Sequence, residues 1–319
     1  MVKMDLRQLR YFVAIVEDGS ITGAAARLGV AQPALSLHVR NMEDRLGTAL
    51  LVRSQNGVKP TDAGAVLMLR ARAILEDFDR ALDEVQSHGK QPSGTVRIGL
   101  PATIGSILAV PLVARCKAIY PNLRLVVAEA MSGFVRDWLM DGQIDLAVVY
   151  SPVTEAGVHS EILLDEELVL VAAPDGWAQE ESAQTILGRS PLILPSGSHG
   201  LRRLLERELG LASHGVTPVI EIDSYASIKQ LVIDRHGASV LPIHAVQTEV
   251  MAARLEARRF PAPGLWRRAH LGYRSSRPLT HSASLVCELI RSITAELVTG
   301  NIWAGARMAD MPAPPDSNR

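Results

Sequence analysis

Residues 20–47 read SITGAAARLGVAQPALSLHVRNMEDRLG, two short helical patterns joined by a tight turn. Ser20 is placed to cap the first helix, and Gly29 is placed to end it because glycine adopts positive φ without a Cβ penalty. Pro33 suits the first turn of the second helix, since its φ is preset and it has no N–H to leave unpaired. The pattern predicts a helix-turn-helix, whose second helix enters the major groove of DNA. The alternative is an ordinary hairpin of two core helices.

The second helix of this pattern separates an apolar face from a polar start. Spacings of four, three and four residues place four side chains on the buried face, namely Leu35, Val39, Met42 and Leu46. The residues left at the start and on the outer face are Gln32, Ala34, Ser36, Leu37 and Arg40.

Both flanks of this stretch fit a small DNA-binding domain. The segment before it is an amphipathic helical pattern, with Asp5 and Gln8 spaced as a capping box. Beyond it, Asn56 and Gly57 are a strong hairpin turn signal, which predicts a short β-wing with Arg53 at its base. Such a wing lies on the phosphate backbone or in the minor groove of DNA, and a purely structural turn is the alternative.

A long amphipathic helix is predicted after the wing, over residues 61–88. At ~1.5 Å per residue it is roughly 40 Å long, and Thr61 is placed to cap it. Apolar residues recur at alternating spacings of four and three, as in the seam of a coiled coil: Leu67, Ala71, Ile74, Phe78, Ala81 and Val85. This seam predicts a homodimer, and the alternative is a helix that packs only on its own domain.

The composition is that of a soluble globular protein. The 319 residues are 47% hydrophobic and 21% charged with a formal net charge of −1, so a surface that binds nucleic acid must be local. Cys116 and Cys287 are the 2 cysteines; both lie in apolar helical patterns and are expected to be buried free thiols. The sequence has no CxxC or Cys/His ligand cluster, which excludes a zinc finger. The N-terminus is too polar for a secretory signal and no apolar run is long enough to span a bilayer, so a cytoplasmic protein is expected.

After a hinge, the pattern changes to alternating strands and helices, as in an α/β domain. A longer irregular stretch precedes a strand at residues 168–173. The order of strand and helix repeats in two halves, which predicts parallel pairing and two lobes with a cleft between them. The predicted boundaries are 1–60 for the winged helix-turn-helix, 61–88 for the linker helix, 89–94 for the hinge, 95–303 for the two-lobed domain (lobe I about 95–167 and 269–303, lobe II about 168–268) and 304–319 for a disordered tail.

Several ordered segments together resemble the LysR-type bacterial transcriptional regulators. They are LRQLRYFVAIVEDGSITGAAARLGVAQPALSLHVRNMEDRLGTALLVR (6–53), GVKPTDAG (57–64), GTVRIGL (94–100), ARCKAIYPNLRL (114–125), DGQIDLAVVY (141–150) and GASVLP (237–242). The resemblance covers the whole chain and is closest to the nitrogen-assimilation-control branch. It implies a winged helix-turn-helix, a dimerising linker helix, a periplasmic-binding-protein-like effector domain and a homotetramer. The implied partners are double-stranded promoter DNA, a small-molecule effector and RNA polymerase, and no cofactor, metal or membrane is implied.

Carried over by position, the resemblance implies DNA contacts at Gln32, Pro33, Ala34, Ser36, Leu37, Arg40 and Arg53. Gln32 is suited to bond an adenine edge, and Ser36 to contact a base or a phosphate. Leu37 departs from the Arg or Gln common in the family and offers only an apolar contact, for example to a thymine methyl.

The resemblance also implies an effector cleft where the lobes meet. The corresponding positions are Ala102, Thr103, Ile104, Ser132, Tyr150, Pro195, Ser196 and Ser198. Ala102, Ile104 and Tyr150 make this cleft more apolar than a carboxylate site, which indicates an aromatic or bulky ligand or none. Each hydroxyl is as well suited to capping a helix as to contacting a ligand.

Two other classes of protein, an enzyme and a small-molecule sensor, fit the sequence less well. An enzyme is disfavoured because the sequence has no G-x-S-x-G elbow, P-loop, G-x-G-x-x-G after a strand or H-E-x-x-H motif. A cytosolic small-molecule sensor with no DNA role remains the alternative, and a DNA shift assay separates it from a regulator.

Overall fold

The computed structural model describes residues 4–54, 57–87, 91–175, 177, 181–211, 216–275 and 279–308. Contacts within the chain divide it into two compact units, Met1–Lys90 and Gln91–Arg319.

The first unit contains four helices and one hairpin among its described residues. They are α1 (Leu6–Asp18), α2 (Ile21–Leu28), α3 (Gln32–Leu46), β1 (Leu51–Ser54), β2 (Gly57–Pro60) and α4 (Asp62–Ser87). The predicted helix-turn-helix and its flanking hairpin are therefore confirmed. The turn at Asn56 and the end of the predicted linker helix at His88 lie outside the described residues.

The ends of these helices are formed by the residues that the sequence indicated. Asp5 and Gln8 form a reciprocal capping box at α1, and the Ser20 hydroxyl accepts the Gly23 N–H at α2. Gly29 ends α2 at φ 66°, in the left-handed region that favours glycine. In α3, Leu35, Val39 and Met42 are fully buried. Leu46 was predicted to be buried but is 39% exposed, because the last turn of α3 extends beyond the core.

The linker helix α4 begins where Thr61 ties it to the hairpin. The Thr61 hydroxyl accepts the Gly64 N–H at 3.0 Å and donates to the Ala49 carbonyl at 2.8 Å. A Cβ on Gly64 would lie 2.0 Å from the Leu50 carbonyl oxygen, so the helix approaches the backbone just before β1 closely only because residue 64 is glycine.

The predicted seam of α4 is divided between two environments. Ala71 is fully buried in the core of the same unit, so the prediction that it faces a partner is wrong. The cause is the packing of α1 against α4, which covers the first half of the helix. Leu67 is partly buried against that core, and its contact with a partner stays a prediction. The remaining seam residues, Ile74, Phe78, Ala81 and Val85, are exposed.

The second unit is an α/β domain. Its elements are β3 (Gly94–Leu100), α5 (Ala102–Ile119), β4 (Leu123–Glu129), α6 (Ser132–Asp141), β5 (Leu146–Val149), β6 (Val158–Ala172), α7 (Ala183–Arg189), β7 (Ile193–Leu194), α8 (Gly200–Leu209), β8 (Ile220–Glu221), α9 (Tyr225–Ile233), β9 (Ser239–Pro242), α10 (Ile243–Met251), β10 (Glu256–Arg259), β11 (Leu265–Arg274), α11 (His281–Thr299) and β12 (Ala306–Arg307).

A mixed sheet organises this unit, with strand order β10-β6-β11-β5-β3-β4. Strand β3 pairs in parallel with β4 and β5, as predicted, but β11 is antiparallel to both β5 and β6. The stretch predicted to be irregular is the first part of the 15-residue strand β6. Because β6 is continuous, the predicted lobe boundary at residue 168 falls inside a single strand.

Separate apolar cores define the two lobes. One lobe is built on β3, α5 and α11, and the other on the strands and helices from β7 to β10, together with the second part of β6. Among the described residues α5 has the length and apolar composition to cross a membrane, but its inner face, with Ile104, Leu108 and Leu112, is buried in the first core. Cys116 and Cys287 are buried free thiols in that core, as predicted.

The C-terminal segment is more ordered than predicted. Trp303 is fully buried, and residues 306–307 pair with β6 as strand β12. The disorder predicted from residue 304 is therefore wrong for residues 304–308, because the sheet edge binds them. Residues 309–319 lie outside the described part of the chain.

Candidate nucleic-acid interface and ligand cleft

The first turns of α3 form an exposed surface. Because helical periodicity places Leu35 and Val39 in the core, the intervening side chains point outward. The exposed predicted residues are Gln32, Pro33, Ala34, Leu37 and Arg40, and Ser36 is partly buried. The structure thus brings these six predicted contact residues onto one helix end.

Polar groups are presented at this helix end. The Gln32 side-chain amide donates to the Ser36 hydroxyl at 3.0 Å, which links the two polar groups predicted to contact bases. The N-cap residue Ala31 supplies no side-chain hydrogen bond, Pro33 has no N–H, and the Ala34 N–H bonds the Ala31 carbonyl at 3.0 Å, which leaves the Gln32 N–H of the first turn for a phosphate or a base edge.

The hairpin is attached firmly to this helix. The Glu43 carboxylate on α3 accepts the N–H groups of Leu50 and Leu51 at 2.8 and 3.1 Å. Arg53 lies opposite Val58 in the antiparallel ladder and is exposed. Its position relative to α3 is therefore set by Glu43, which the sequence analysis did not identify.

Several basic side chains of this unit are neutralised by acidic neighbours. Arg10 pairs with Asp79 at 2.7 Å, and Arg27 pairs with Asp18 at 3.0 Å. In the described part of the unit, Arg40 and Arg53 have no such ion pair. Arg40 and Arg53 are therefore the cations of the predicted surface that remain available to phosphates.

A cavity of about 40 Å³ lies between the lobes of the second unit. Its lining residues are Pro101, Ala102, Ala130, Met131, Ser132, Tyr150, His199, Asp223 and Tyr225. Of the predicted effector residues it thus brings together Ala102, Ser132 and Tyr150. The volume holds only a few water molecules, so a larger ligand requires the lobes to part.

The other predicted effector residues do not line this cavity. Ile104 is fully buried in the core beneath α5, because it lies on the inner face of that helix. Thr103 is buried and bonded to protein groups. Pro195 is buried and Ser198 is exposed beside the cleft, while Ser196 donates its N–H and its hydroxyl to the Asp223 carboxylate at 2.9 and 3.1 Å.

A buried charged network lies beneath the cavity, centred on Arg267 of β11. Its guanidinium bonds the Glu166 carboxylate at 2.8 Å, the Thr103 hydroxyl at 2.9 Å and the Tyr150 hydroxyl at 2.8 Å. The guanidinium carbon lies 3.6 Å from the centre of the Tyr150 ring. The Trp303 indole N–H donates to the second oxygen of Glu166 at 3.0 Å, which ties the C-terminal segment to the network.

Burial and charge set the protonation states of this network. Burial alone would raise the pKa of Glu166, but the charge of Arg267 holds that pKa below its usual range. Burial raises the pKa of Tyr150 well above its usual range, so the phenol stays protonated. Burial lowers the pKa of His244, whose Nε2 bonds the Thr103 carbonyl at 2.9 Å and links the lobes as a neutral imidazole.

One sequence signal for this network was overlooked. The apolar run of β6 is interrupted by Asp165, Glu166 and Glu167, and that of β11 by Arg267 and Arg268. In the antiparallel register, Glu166 lies opposite Arg267 and Asp165 opposite Arg268. Opposite charges inside two apolar strands indicate neighbouring strands that neutralise each other.

Comparisons with known proteins agree with this architecture. Residues 6–65 match the family described as bacterial regulatory helix-turn-helix protein, lysR family, and residues 89–295 match the LysR substrate binding domain. The nitrogen assimilation regulatory protein nac of Escherichia coli is 34% identical over 92% of this chain and 97% of its own length. The hydrogen peroxide-inducible genes activator of Haemophilus influenzae is 30% identical over 91% of this chain and 98% of its own length.

Solved structures agree as well. A full-length OxyR variant from Pseudomonas aeruginosa has a TM-score of 0.72 at 26% identity, covering 97% of this chain and 99% of that one. Full-length CbnR in complex with its target DNA has a TM-score of 0.67 at 20% identity, over 91% of this chain and 100% of that one, a likeness of fold. The chain therefore belongs to the LysR family, and it is a DNA-binding transcriptional regulator with an effector-binding domain.

Proposed function

We propose that the exposed start of α3 reads operator DNA in the major groove while the hairpin lies on the phosphate backbone. The observation that carries this proposal is the outward placement of Gln32, Ser36 and Leu37 beside the two available cations, Arg40 and Arg53. Gln32 bonds an adenine edge, and Leu37 contacts a thymine methyl. Arg40 and Arg53 bind phosphates and fix the register of the helix.

Fluorescence anisotropy with an operator fragment identified by genomic footprinting tests these roles. Gln32→Ala should weaken operator binding by ~1–3 kcal/mol and leave binding to unrelated DNA nearly unchanged, because a base contact is lost. Arg53→Ala should weaken binding to both DNAs and reduce the slope of log K against log salt by about one per protomer.

The matched control for Arg53 is Arg72→Ala. Arg72 is an exposed arginine of the same unit, and it pairs with Glu17 on α1 at 3.0 Å. Its substitution should leave the salt slope unchanged. If Arg53→Ala behaves like Arg72→Ala, the hairpin does not contact the DNA backbone.

We also propose that the exposed half of α4 joins two protomers, and that the resulting dimers associate as a homotetramer. Support comes from the stripe of Ile74, Phe78, Ala81 and Val85, which the described part of the unit leaves uncovered. Phe78→Glu should convert the assembly to smaller species in light scattering, whereas Phe78→Leu should not. A wild-type monomer would contradict the proposal.

The cleft between the lobes is proposed to bind the effector. Ligand binding there changes the arrangement of the lobes, which in turn changes the spacing of the paired DNA-binding units and the bend of the DNA. Such a switch requires the ligand to bind one arrangement of the lobes more tightly than the other. DNase footprints with and without the ligand test this step, and identical footprints count against it. On the basis of the family, we also propose that the protein contacts RNA polymerase, that it is cytoplasmic and that it has no enzymatic activity.

Nitrogen metabolism genes are proposed as the first targets to test, since nitrogen assimilation regulators of two bacteria are 33–34% identical over 92% of this chain. A thiol-based response to peroxide, which the name of another relative suggests, is not proposed. Cys116 and Cys287 are each 1% exposed, and burial raises the pKa of Cys287 to about 12, which suppresses the reactive thiolate.

A further inference from the structure

We propose that the cleft selects a small zwitterion with an apolar side chain, an amino acid of the leucine type, through His199 and Asp223. This inference rests on the proposed role of the cleft as the effector site and names the chemical class of its ligand.

His199 presents a hydrogen-bond donor to the cavity. Its Nδ1 accepts the Leu201 N–H at 3.1 Å as the N-cap of α8, so the ring proton is on Nε2. The residue is 8% exposed, lines the cavity and stacks edge-on against the Tyr225 ring at 5.8 Å. Nε2 has no hydrogen-bond partner among the described residues and is open to the cavity, where water or a ligand can reach it. A carboxylate oxygen of a ligand satisfies it.

The imidazole acts as a neutral donor and not as a cation. Burial lowers the pKa of His199, and the nearby charge of Arg267 lowers it further. His199 therefore orients an acceptor atom of the ligand through a hydrogen bond, but it adds no positive charge that would attract anions in general.

Asp223, on the same lobe as His199, presents a negatively charged hydrogen-bond acceptor to the ligand. Each carboxylate oxygen accepts one hydrogen bond from Ser196, which fixes the side chain and leaves further lone pairs for a ligand. A carboxylate at the rim of a cleft favours an ammonium group. A ligand with both a carboxylate and an ammonium group matches His199 and Asp223 together.

The buried Arg267 does not favour a simple anion over a zwitterion. Arg267 has its charge neutralised by Glu166 at 2.8 Å, and its remaining contacts go to Thr103 and the tyrosines. Among the lining residues Asp223 then carries the formal charge, so a simple carboxylic acid meets a like charge there.

The rest of the lining selects for an apolar ligand body of limited size. Pro101, Ala102, Ala130 and Met131 contribute apolar surface, and the Tyr150 and Tyr225 rings close the sides. The enclosed volume of about 40 Å³ holds only a few water molecules, so the lobes must open to admit even a small ligand body.

Isothermal titration calorimetry of the full-length protein tests the proposal with L-leucine, 4-methylpentanoate and isopentylamine. These probes share one branched chain and differ only in the charged groups. We expect L-leucine to bind at least tenfold more tightly than either analogue. Absence of L-leucine binding, or equal binding of 4-methylpentanoate, would overturn the proposal.

His199→Asn separates the donor from the helix cap. Asparagine is a favourable N-cap residue, so α8 keeps its cap, but the side chain is too short to present a donor in the cleft. L-leucine affinity should fall about tenfold for His199→Asn and for Asp223→Asn, with thermal unfolding confirming that both variants are folded at the assay temperature. Glu208→Gln, an exposed carboxylate of the same lobe, should leave affinity unchanged. Unchanged affinity in His199→Asn overturns the assigned donor.

Fluorescence anisotropy with operator DNA on the same samples tests the proposed DNA recognition independently of the proposed ligand class. Operator binding without L-leucine binding overturns the ligand class and leaves DNA recognition intact. L-leucine binding with an unchanged DNase footprint supports the site and overturns its effector role.

Discussion

The buried pair of Glu166 and Arg267 gives the sharpest test of the second unit. Both side chains are 1% exposed, and the Glu166 oxygen lies 2.8 Å from the guanidinium. Glu166→Gln keeps the shape of the side chain and an acceptor for Trp303, but it leaves the Arg267 charge without a counter-ion. Breaking a buried pair in this way costs about 3–5 kcal/mol.

For a unit of about 230 residues, each kcal/mol moves the melting temperature by roughly 2–4 °C. Glu166→Gln should therefore lower the melting temperature of this unit by roughly 6–20 °C in differential scanning calorimetry. The matched control is Glu161→Gln in the same strand, whose pair with Arg291 is 2.7 Å long but 31% and 44% exposed. An exposed pair contributes about 1 kcal/mol or less, so the control should shift by a few degrees at most.

The double variant Glu166→Gln, Arg267→Gln completes the cycle. Removing both charges should recover part of the loss, because no uncompensated charge remains buried. The reasoning is refuted if Glu166→Gln and Glu161→Gln shift the transition equally, or if the double variant loses the sum of its single variants. The pKa of Glu166 is below its usual range in the folded state, so its contribution is present above about pH 4.5 and is lost as pH falls further.

Other substitutions and conditions test separate parts of the structure. Gly64→Ala should destabilise the first unit by about 1–3 kcal/mol in thermal unfolding, because its Cβ would lie 2.0 Å from the Leu50 carbonyl oxygen; a neutral result would contradict this close approach. Burial lowers the pKa of His244, so the unfolded state takes up this proton first and stability should fall as pH drops below about 6.5, measured by urea unfolding. Cys287 should react with Ellman's reagent slowly in the native protein and rapidly in urea; fast native reaction would contradict its burial.

Local sequence patterns predicted the first unit well because its contacts are mostly local. The caps at Ser20 and Thr61 involve atoms three residues apart, and the buried face of α3 follows from helical periodicity. The prediction failed for Ala71, because helical spacing shows which residues share a face but not which partner covers that face.

The ligand cleft could be predicted only in part, because its residues come from distant segments of the chain. Tyr150 and Ser132, which the resemblance implied as effector residues, line the cavity, since each follows or ends a strand where side chains of neighbouring elements converge. Ile104 was placed wrongly, since the rotation of α5 about its axis depends on the core beneath it. His199 and Asp223 reach the same cavity from separate segments of the other lobe, and neither segment alone indicates this meeting.

The amino-acid order alone was enough to establish the helix-turn-helix, the hairpin, the linker helix and the alternation of strands and helices. These features depend on caps, turns and periodicity within short segments. Folding in three dimensions established the pairing of β6 with β11, which buries Glu166 against Arg267 across 101 residues of chain. Such a pairing is a long-range contact, so its energy depends on the whole sheet and no local pattern contains it.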